Sequence, residues 1–377
     1  MKTLNQILGA NRRLIACVIA LIPMIALALA SDAQAGTVTT VASTIPSNGD
    51  LNPYGVARVP TTTGSLTKGN ILVSNFNNSK NLQGTGTTIV QISPSGAVTL
   101  FAQIDANTLP GPCPGGVGLT TALVALRTGW VIVGSVPTTD GMSDTVQAGC
   151  LLVLDSSGQV VETFFGSLIN GPWDMAAFDG GRNVSLFVTN VLNGTVAGGG
   201  NIVHEGTVLR LDLNIPHGSM PNLQQMTVIG SGFAERTDPN ALVIGPTGLA
   251  LSSDDRHPDE GGRVLYVADT LNNRVIAIED PLQRNTSDGT GMTVFHGGAL
   301  NGPLGLEIAT NGDILTVNSG DGYLVETKVE GHHGHQVRKV LLDDMGTGAG
   351  ALFGLIDVAG QGIYFVDDNE NALNLFH

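Results

Sequence analysis

Residues 245–251 read GPTGLAL, 263–269 RVLYVAD, 274–280 RVIAIED and 292–298 MTVFHGG. These are four short runs rich in Val, Ile, Leu and aromatic residues, each ended or followed by a small or turn-forming residue. They predict four consecutive strands joined by loops. The second of them belongs to a series: ILVSN (71–75), VIVGS (131–135), LFVTN (186–190), LYVAD (265–269), ILTVN (314–318) and IYFVD (363–367). Most members follow a Gly/Pro-led strand start, the six starts being NPYGVA, GGVGLT, GPWDMAA, GPTGLAL, GPLGLEI and LFGLIDV. A β unit of this size cannot bury its own faces, and six in succession predict an all-β, six-bladed propeller with four antiparallel strands per blade.

The starts fall near residues 53, 116, 172, 246, 303 and 352, so each repeat has room for four strands and loops of unequal length. The last repeat supplies only LFGLIDV, GIYFVD and ALNLF before His377. The β-branched segment TVTTVASTI (37–45) precedes the first blade and is assigned to the last one as its outer strand. That pairing would close the ring without an open edge.

Residues 1–35 read as a signal peptide. Lys2, Arg12 and Arg13 precede an apolar run from Leu14 to Ala30, and Ala33-Gln34-Ala35 is a cleavage site before Gly36. Cys17 lies at the start of that run rather than its end, so lipidation is not expected. The expected product is an exported, periplasmic or secreted single domain over residues 36–377, monomeric and without membrane insertion. Without Lys2, Arg12, Arg13 and Asp32 the counts of 17 basic and 32 acidic residues become 14 and 31, a formal charge of about -17. Such a surface repels nucleic acid.

Residues 245–279 also resemble an NHL repeat, in the GPxGLAL opening, the LYVAD strand end and the NNRV turn; the insertion at 255–261 departs from the usual spacing. Blade five is similar but lacks the paired Asn and Arg. The chain resembles exported bacterial NHL-type six-bladed propellers. The resemblance implies the fold and not one activity, since binders and lyases share it.

In a propeller, the loops between second and third strands and those entering each blade share one face, here called the upper face. Asn75, Ser135, Asn190, Asp269, Asn318 and Asp367 end the six second strands there, and the entry segments add Asn52, Tyr54, Trp173, Asp174, Asn301 and Pro303. Side chains of this kind ordinarily start turns by bonding nearby backbone N–H groups. As a ligand site the candidates are Asn52, Tyr54, Asn75, Trp173, Asp174, Asn190, Asp269, Asn318 and Asp367. Asp174 stands where the other blades carry glycine. Asp174, Asp269 and Asp367 are the candidate ligands of a metal, Ca²⁺ being the ion oxygen donors would take, with Glu307 deeper on an inner strand. Long upper loops at 76–87, 136–149 and 191–206 predict a site displaced towards blades one to three.

Cys113 and Cys150 both fall on upper loops of blade two and are expected to form a disulfide. His332, His333 and His335 have metal-like spacing, but their glycine-flanked position on the lower face reads as a solvated turn. His204, His217, His257, His296 and His377 show no ligand spacing. Sequential signatures of nucleotide loops, zinc proteases, serine hydrolases and EF-hands are absent. Three functions remain open: a non-catalytic exported propeller binding a protein, glycan or small ligand; a divalent-metal-dependent lactonase-like hydrolase or lyase at the channel mouth; and a structural or surface-layer protein.

Overall fold

Each inner strand of this protein slips register against its neighbour at one place. The shift lies between Pro53 and Val56, Leu119 and Leu123, Pro172 and Met175, Pro246 and Leu249, Pro303 and Leu306, and Leu352 and Leu355. A bulge bends its strand and re-aims the side chains beside it. Six of them, one per sheet, turn the start of every inner strand towards a common axis. Glycine at Gly248, Gly305 and Gly354 lets the next inner strand approach: a Cβ there would run into the backbone of Leu304, Phe353 and Tyr54 respectively.

The computed structural model describes residues 36–252, 262–345 and 350–377, which form the six-bladed propeller; the expected leader (1–35) and the insertion at 255–261 lie outside the described residues. Blade one comprises Leu51–Arg58, Ile71–Asn77, Thr88–Ile92 and Val98–Gln103. Blade two comprises Leu119–Ala125, Val131–Ser135, Cys150–Leu154 and Val160–Phe164. Blade four comprises Pro246–Leu251, Val264–Asp269, Arg274–Glu279 and Met292–His296, the four runs that the repeat predicts. Blade five follows with Pro303–Ile308, Ile314–Asn318, Tyr323–Glu330 and His333–Leu341.

The sixth sheet is closed as expected. Val38–Ser43 lies antiparallel to Ala372–Phe376, with Val38 opposite Phe376 and Ser43 opposite Ala372. Thr37 and His377 exchange backbone bonds of 2.8 and 3.1 Å, and Thr44 N–H donates to Asn371 O at 2.9 Å. Blade three carries an addition that the repeat does not announce. Its third strand is Val203–Asn214 and its outer strand runs from Asn222 to Asp238, then turns back as Leu242–Ile244. Asp238 Oδ1 accepts Asn240 and Ala241 N–H at 2.8 and 3.2 Å and so fixes that turn. The segment 191–206, expected as one long loop, contains a single α-helical turn at Thr195–Gly198 and the start of the third strand.

Second and third strands are buried on both faces, as in Ile71–Asn77 and Cys150–Leu154, because each sheet is sandwiched between two others. The apolar clusters accordingly lie between blades; one joins Leu72, Ile89 and Phe101 of blade one to Leu123, Val133 and Leu152 of blade two. Outer strands face water on one side, so Val98–Gln103 and His333–Leu341 are largely exposed. Among the described residues no helix is long and apolar enough to cross a membrane.

Candidate functional site

The six residues that end the second strands are buried and turned into the loops of their own blades. Asn75 donates to Thr44 O at 3.1 Å and Thr88 Oγ1 at 3.2 Å. Ser135 Oγ donates to Gly116 O and accepts from Gly118 N–H, each at 3.0 Å. Asn190 Oδ1 accepts the N–H groups of Asn170 and Gly171 at 3.0 and 2.6 Å. Asp269 holds Asn272 and, at 2.8 Å, the Arg274 guanidinium. Asn318 donates to Ala299 O at 2.8 Å and Asp321 Oδ1 at 2.9 Å. Asp367 accepts Asn369 N–H at 3.0 Å. None of the six lines either of the two cavities described below; they staple entry segments and turns to the strand ends. Asn301 belongs to this framework too, its carbonyl accepting Gly320 N–H at 2.9 Å, and Pro303 O accepts Thr270 Oγ1 at 2.7 Å.

The residues one or two places further on do reach the channel. Asn77, Thr270, Ser319 and Asp368 join Asn52, Tyr54, Trp173 and Phe353 around an upper pocket of about 280 Å³. Its side walls are the blade-one loop, through Asn81 and Gln83, and the blade-three hairpin, through Asn240 and Val243. Gln83 Nε2 donates to Pro239 O at 3.3 Å and bridges the two. The blade-two loop contributes support rather than lining: Thr138 donates to Gln83 O at 2.6 Å. Blades one and three thus supply the side walls, blades four to six complete the lining through Thr270, Leu304, Ser319, Phe353 and Asp368, and blade two, expected to contribute, lines none of it. Sequence reading missed Asn77, Asn240 and Asp368; the signals for two of them were the Asn77-Asn78 and Asp367-Asp368 pairs, which also occur in ordinary turns.

The floor is aromatic. The Tyr54 ring stacks between Phe353 (centroids 3.8 Å apart) and Phe76 (4.3 Å), with Trp173 edge-on at 6.1 Å. Each such pair is worth ~0.5–1.5 kcal/mol beyond the area it buries, so the floor is rigid. Burial and the neighbouring Asp368 charge hold the Tyr54 hydroxyl well above its ordinary range, so it stays protonated. Two amide oxygens in the lining, Asn52 Oδ1 and Asn77 Oδ1, are buried and have no hydrogen-bond partner. Asn52 itself is held at φ 62°, its N–H given to Asn371 Oδ1 at 2.7 Å. A buried acceptor left unpaired costs ~1–3 kcal/mol, a cost that a donor in the pocket removes. Asp368 is raised to about 7 by burial, with Asp367 and Asp343 repelling its charge.

Below the floor the channel closes. Thr121, Trp173, Thr247, Leu304 and Phe353 surround a gap of about 10 Å³, too small for a ligand. Thr121 Oγ1 donates to Trp173 O, and Thr247 Oγ1 to Leu304 O at 3.0 Å, which ties neighbouring blades together across the plug. Beneath it lies a lower chamber of about 450 Å³. Asp174 opens into this chamber. It lies two residues after Pro172, at the position of Gly55, Gly248, Gly305 and Gly354, while blade two has Thr121 there. Its oxygens accept Met175 N–H at 2.8 Å and, from the next blade, Leu249 N–H at 3.3 Å. Burial raises Asp174 to about 8 and Glu307, in the same chamber, to about 7.

The structure does not gather the three candidate metal ligands. Asp174 lines the lower chamber, whereas Asp269 is paired with Arg274 and Asp367 caps its own turn. These residues do not fit a shared Ca²⁺ site, and among the described residues no group of three or more His, Cys, Asp or Glu is placed to hold an ion. The expected disulfide forms between Cys113 and Cys150, with Cα atoms 5.2 Å apart. The histidine cluster is not a loose turn: Gly331 and His332 form a tight connection, and His333 and His335 stand on the exposed outer strand of blade five. His332 Nδ1 lies 3.5 Å from Glu279.

No family model matches the chain, and no curated protein matches it in sequence. Solved structures match over most of its length. A gluconolactonase from Xanthomonas campestris is 14% identical with a TM-score of 0.52, covering 93% of this chain and 92% of that one. Regucalcin from Agrobacterium tumefaciens, a calcium-binding protein, is 13% identical with a TM-score of 0.54, covering 89% and 92%. The PQQ-bound aldose sugar dehydrogenase of Streptomyces coelicolor is 15% identical with a TM-score of 0.52, covering 91% and 98%. At such identities the likeness establishes the six-bladed fold; the narrower NHL likeness rests on the residues of blade four.

Proposed function

We propose that the upper pocket is the substrate pocket of an exported hydrolase acting on a small, uncharged, hydroxyl-rich ring such as a sugar lactone. The observation that carries this reading is the pair of buried, unpaired amide oxygens on Asn52 and Asn77 above an aromatic floor. Hydroxyl groups of a ligand would donate to both, while the C–H face of its ring rests on apolar edges. The size suits one ring, and the Asn and Gln rim favours a neutral molecule over a charged one. Similar structures described as acting on gluconolactone and aldose sugars agree with that ligand class. The disulfide agrees with an oxidising compartment.

Asp368 distinguishes turnover from simple binding. A carboxyl raised to about 7 is balanced between accepting and donating a proton near neutral pH. In the proposed reaction Asp368 takes a proton from water as its oxygen attacks the lactone carbonyl. The ring C–O bond then breaks, and Asp368 returns the proton to the leaving oxygen, giving the hydroxy acid. Lactone hydrolysis is followed by acid release across a panel of sugar lactones. Asp368→Asn should lower kcat by ~10²–10⁴ with ligand binding retained, and the wild-type rate should rise as pH passes through about 7 to a plateau. Lactone-induced thermal stabilisation without turnover would instead identify a non-catalytic binder, and neither effect would dismiss the pocket.

A further inference from the structure

We propose that the lower chamber is a second binding site, independent of the upper pocket, for a primary ammonium carried on an unbranched aliphatic chain. The chamber is about 450 Å³, well within the range of ligand sites, and the plug of Trp173, Leu304 and Phe353 separates it from the pocket above. Val56, Leu123, Leu249, Leu306 and Leu355 supply the apolar part of its walls. Against those walls stand two carboxyl groups, Asp174 and Glu307, close enough that the charge of Glu307 disfavours that of Asp174. Among the described residues neither is part of an ion pair.

Among the described residues, the other charged side chains lining the chamber are Arg58, Arg127 and Asp179. Arg127 pairs with Asp179, whose Oδ2 also accepts Arg127 N–H at 2.6 Å, and Arg58 is exposed. Asp357, which bears on Glu307, accepts Thr310 N–H at 2.7 Å. A cation inside would therefore meet two carboxyl groups that, among the described residues, no side-chain cation pairs with. The chemistry of the lining selects among cations. Ca²⁺ needs six to eight oxygen donors, and among the described residues no group of three or more His, Cys, Asp or Glu is gathered here or elsewhere to hold a metal ion. An ammonium has three donors, enough to bond both carboxylates, and its chain would lie along the leucines. The formal charge of -15 on the whole chain favours approach of a cation from solution.

Titration calorimetry with n-hexylammonium chloride at pH 8.5 tests the site, with hexanoate and hexan-1-ol as partners of the same chain length. The expected result is one site for the amine and at least tenfold weaker binding of the acid and the alcohol. Glu307→Gln and Asp174→Asn should each weaken the amine at least tenfold. Should Asp174→Asn fail to fold, Glu307→Gln carries the test, because among the described residues its carboxyl accepts one hydrogen bond, from the adjoining Ile308 N–H at 3.1 Å. Asn77→Ala, in the upper pocket, should leave amine binding unchanged. Equal binding of hexanoate or hexan-1-ol, unchanged affinity in Glu307→Gln, or no amine binding at millimolar concentration would each overturn the proposal. None of these results bears on the lactone reaction.

Discussion

Asp174 shows how one residue type can be read correctly in position and still be misplaced in space. Its departure from the glycine found at four equivalent positions is visible in the sequence. The side at which its side chain emerges is not, because the bulge after Pro172 decides that, and a bulge leaves no mark in composition. Burial has a measurable consequence. An ordinary aspartate titrates near 4, whereas Asp174 is raised to about 8 in the folded chain. Between those values the folded state holds a proton that the unfolded state has released. The contribution of Asp174 to stability is therefore full below about pH 4 and is lost as pH rises through about 8. Asp174→Asn removes the titration while keeping one acceptor for the Met175 and Leu249 N–H groups. Its melting temperature relative to wild type should rise by about 2–5 °C between pH 5 and pH 9, as followed by circular dichroism. A difference that stays flat across this range would show that Asp174 is not held protonated by its surroundings.

At the scale of elements, the legible parts were those with periodicity, and the illegible ones were those where a strand simply continues. Blade four was readable because turns interrupt it at regular places, as at Asn272-Asn273. The outer strand Asn222–Asp238 was not, since its residues are mixed in polarity and its hairpin return, Leu242–Ile244, is short. That hairpin supplies a wall of the upper pocket, so the site was harder to see than the fold. The entry to blade two was predictable from its cysteines. Cys150 begins the third strand opposite Ser135, and Cys113 lies in the segment that leads to the inner strand, where Gly115 N–H donates to Ala148 O at 2.8 Å. The bridge spans 37 positions of chain, for which restriction of the unfolded state gives ~3–4 kcal/mol. A Cys113→Ala, Cys150→Ala chain should lose about that much in urea denaturation. Reductant should destabilise the wild-type protein in the same measure and leave the double variant unchanged. A midpoint indifferent to both would mean that the entry segment is held by its backbone bonds alone.

For the whole molecule, the decisive question is how a linear series of sheets becomes a ring. Five blades are built from consecutive strands and could form one after another. The sixth cannot, because Val38–Ser43 must find Ala372–Phe376 across more than three hundred residues of chain. The sequence made this pairing legible through an incomplete last repeat and an unassigned β-branched segment before the first. It could not show what the pairing protects. With residues 36–44 removed, Ala372–Phe376 would present unpaired backbone groups along an outer edge, and the aromatic side of Phe376, now in contact with Gly36, would be laid open. The N–H groups of Thr37 and Thr44 would no longer bond His377 and Asn371, and Asn75 would lose Thr44 O. The truncated chain should therefore unfold at a markedly lower temperature, in a transition broadened by early loss of blade six. It should also associate as concentration rises, by edge-to-edge pairing of that blade. Adding a synthetic peptide of residues 36–45 should restore the monomer and raise the melting temperature, because only the closed ring offers that strand its partner. Unchanged melting and a monomeric truncated chain would show instead that packing between blades, without the closing strand, is sufficient to hold the ring.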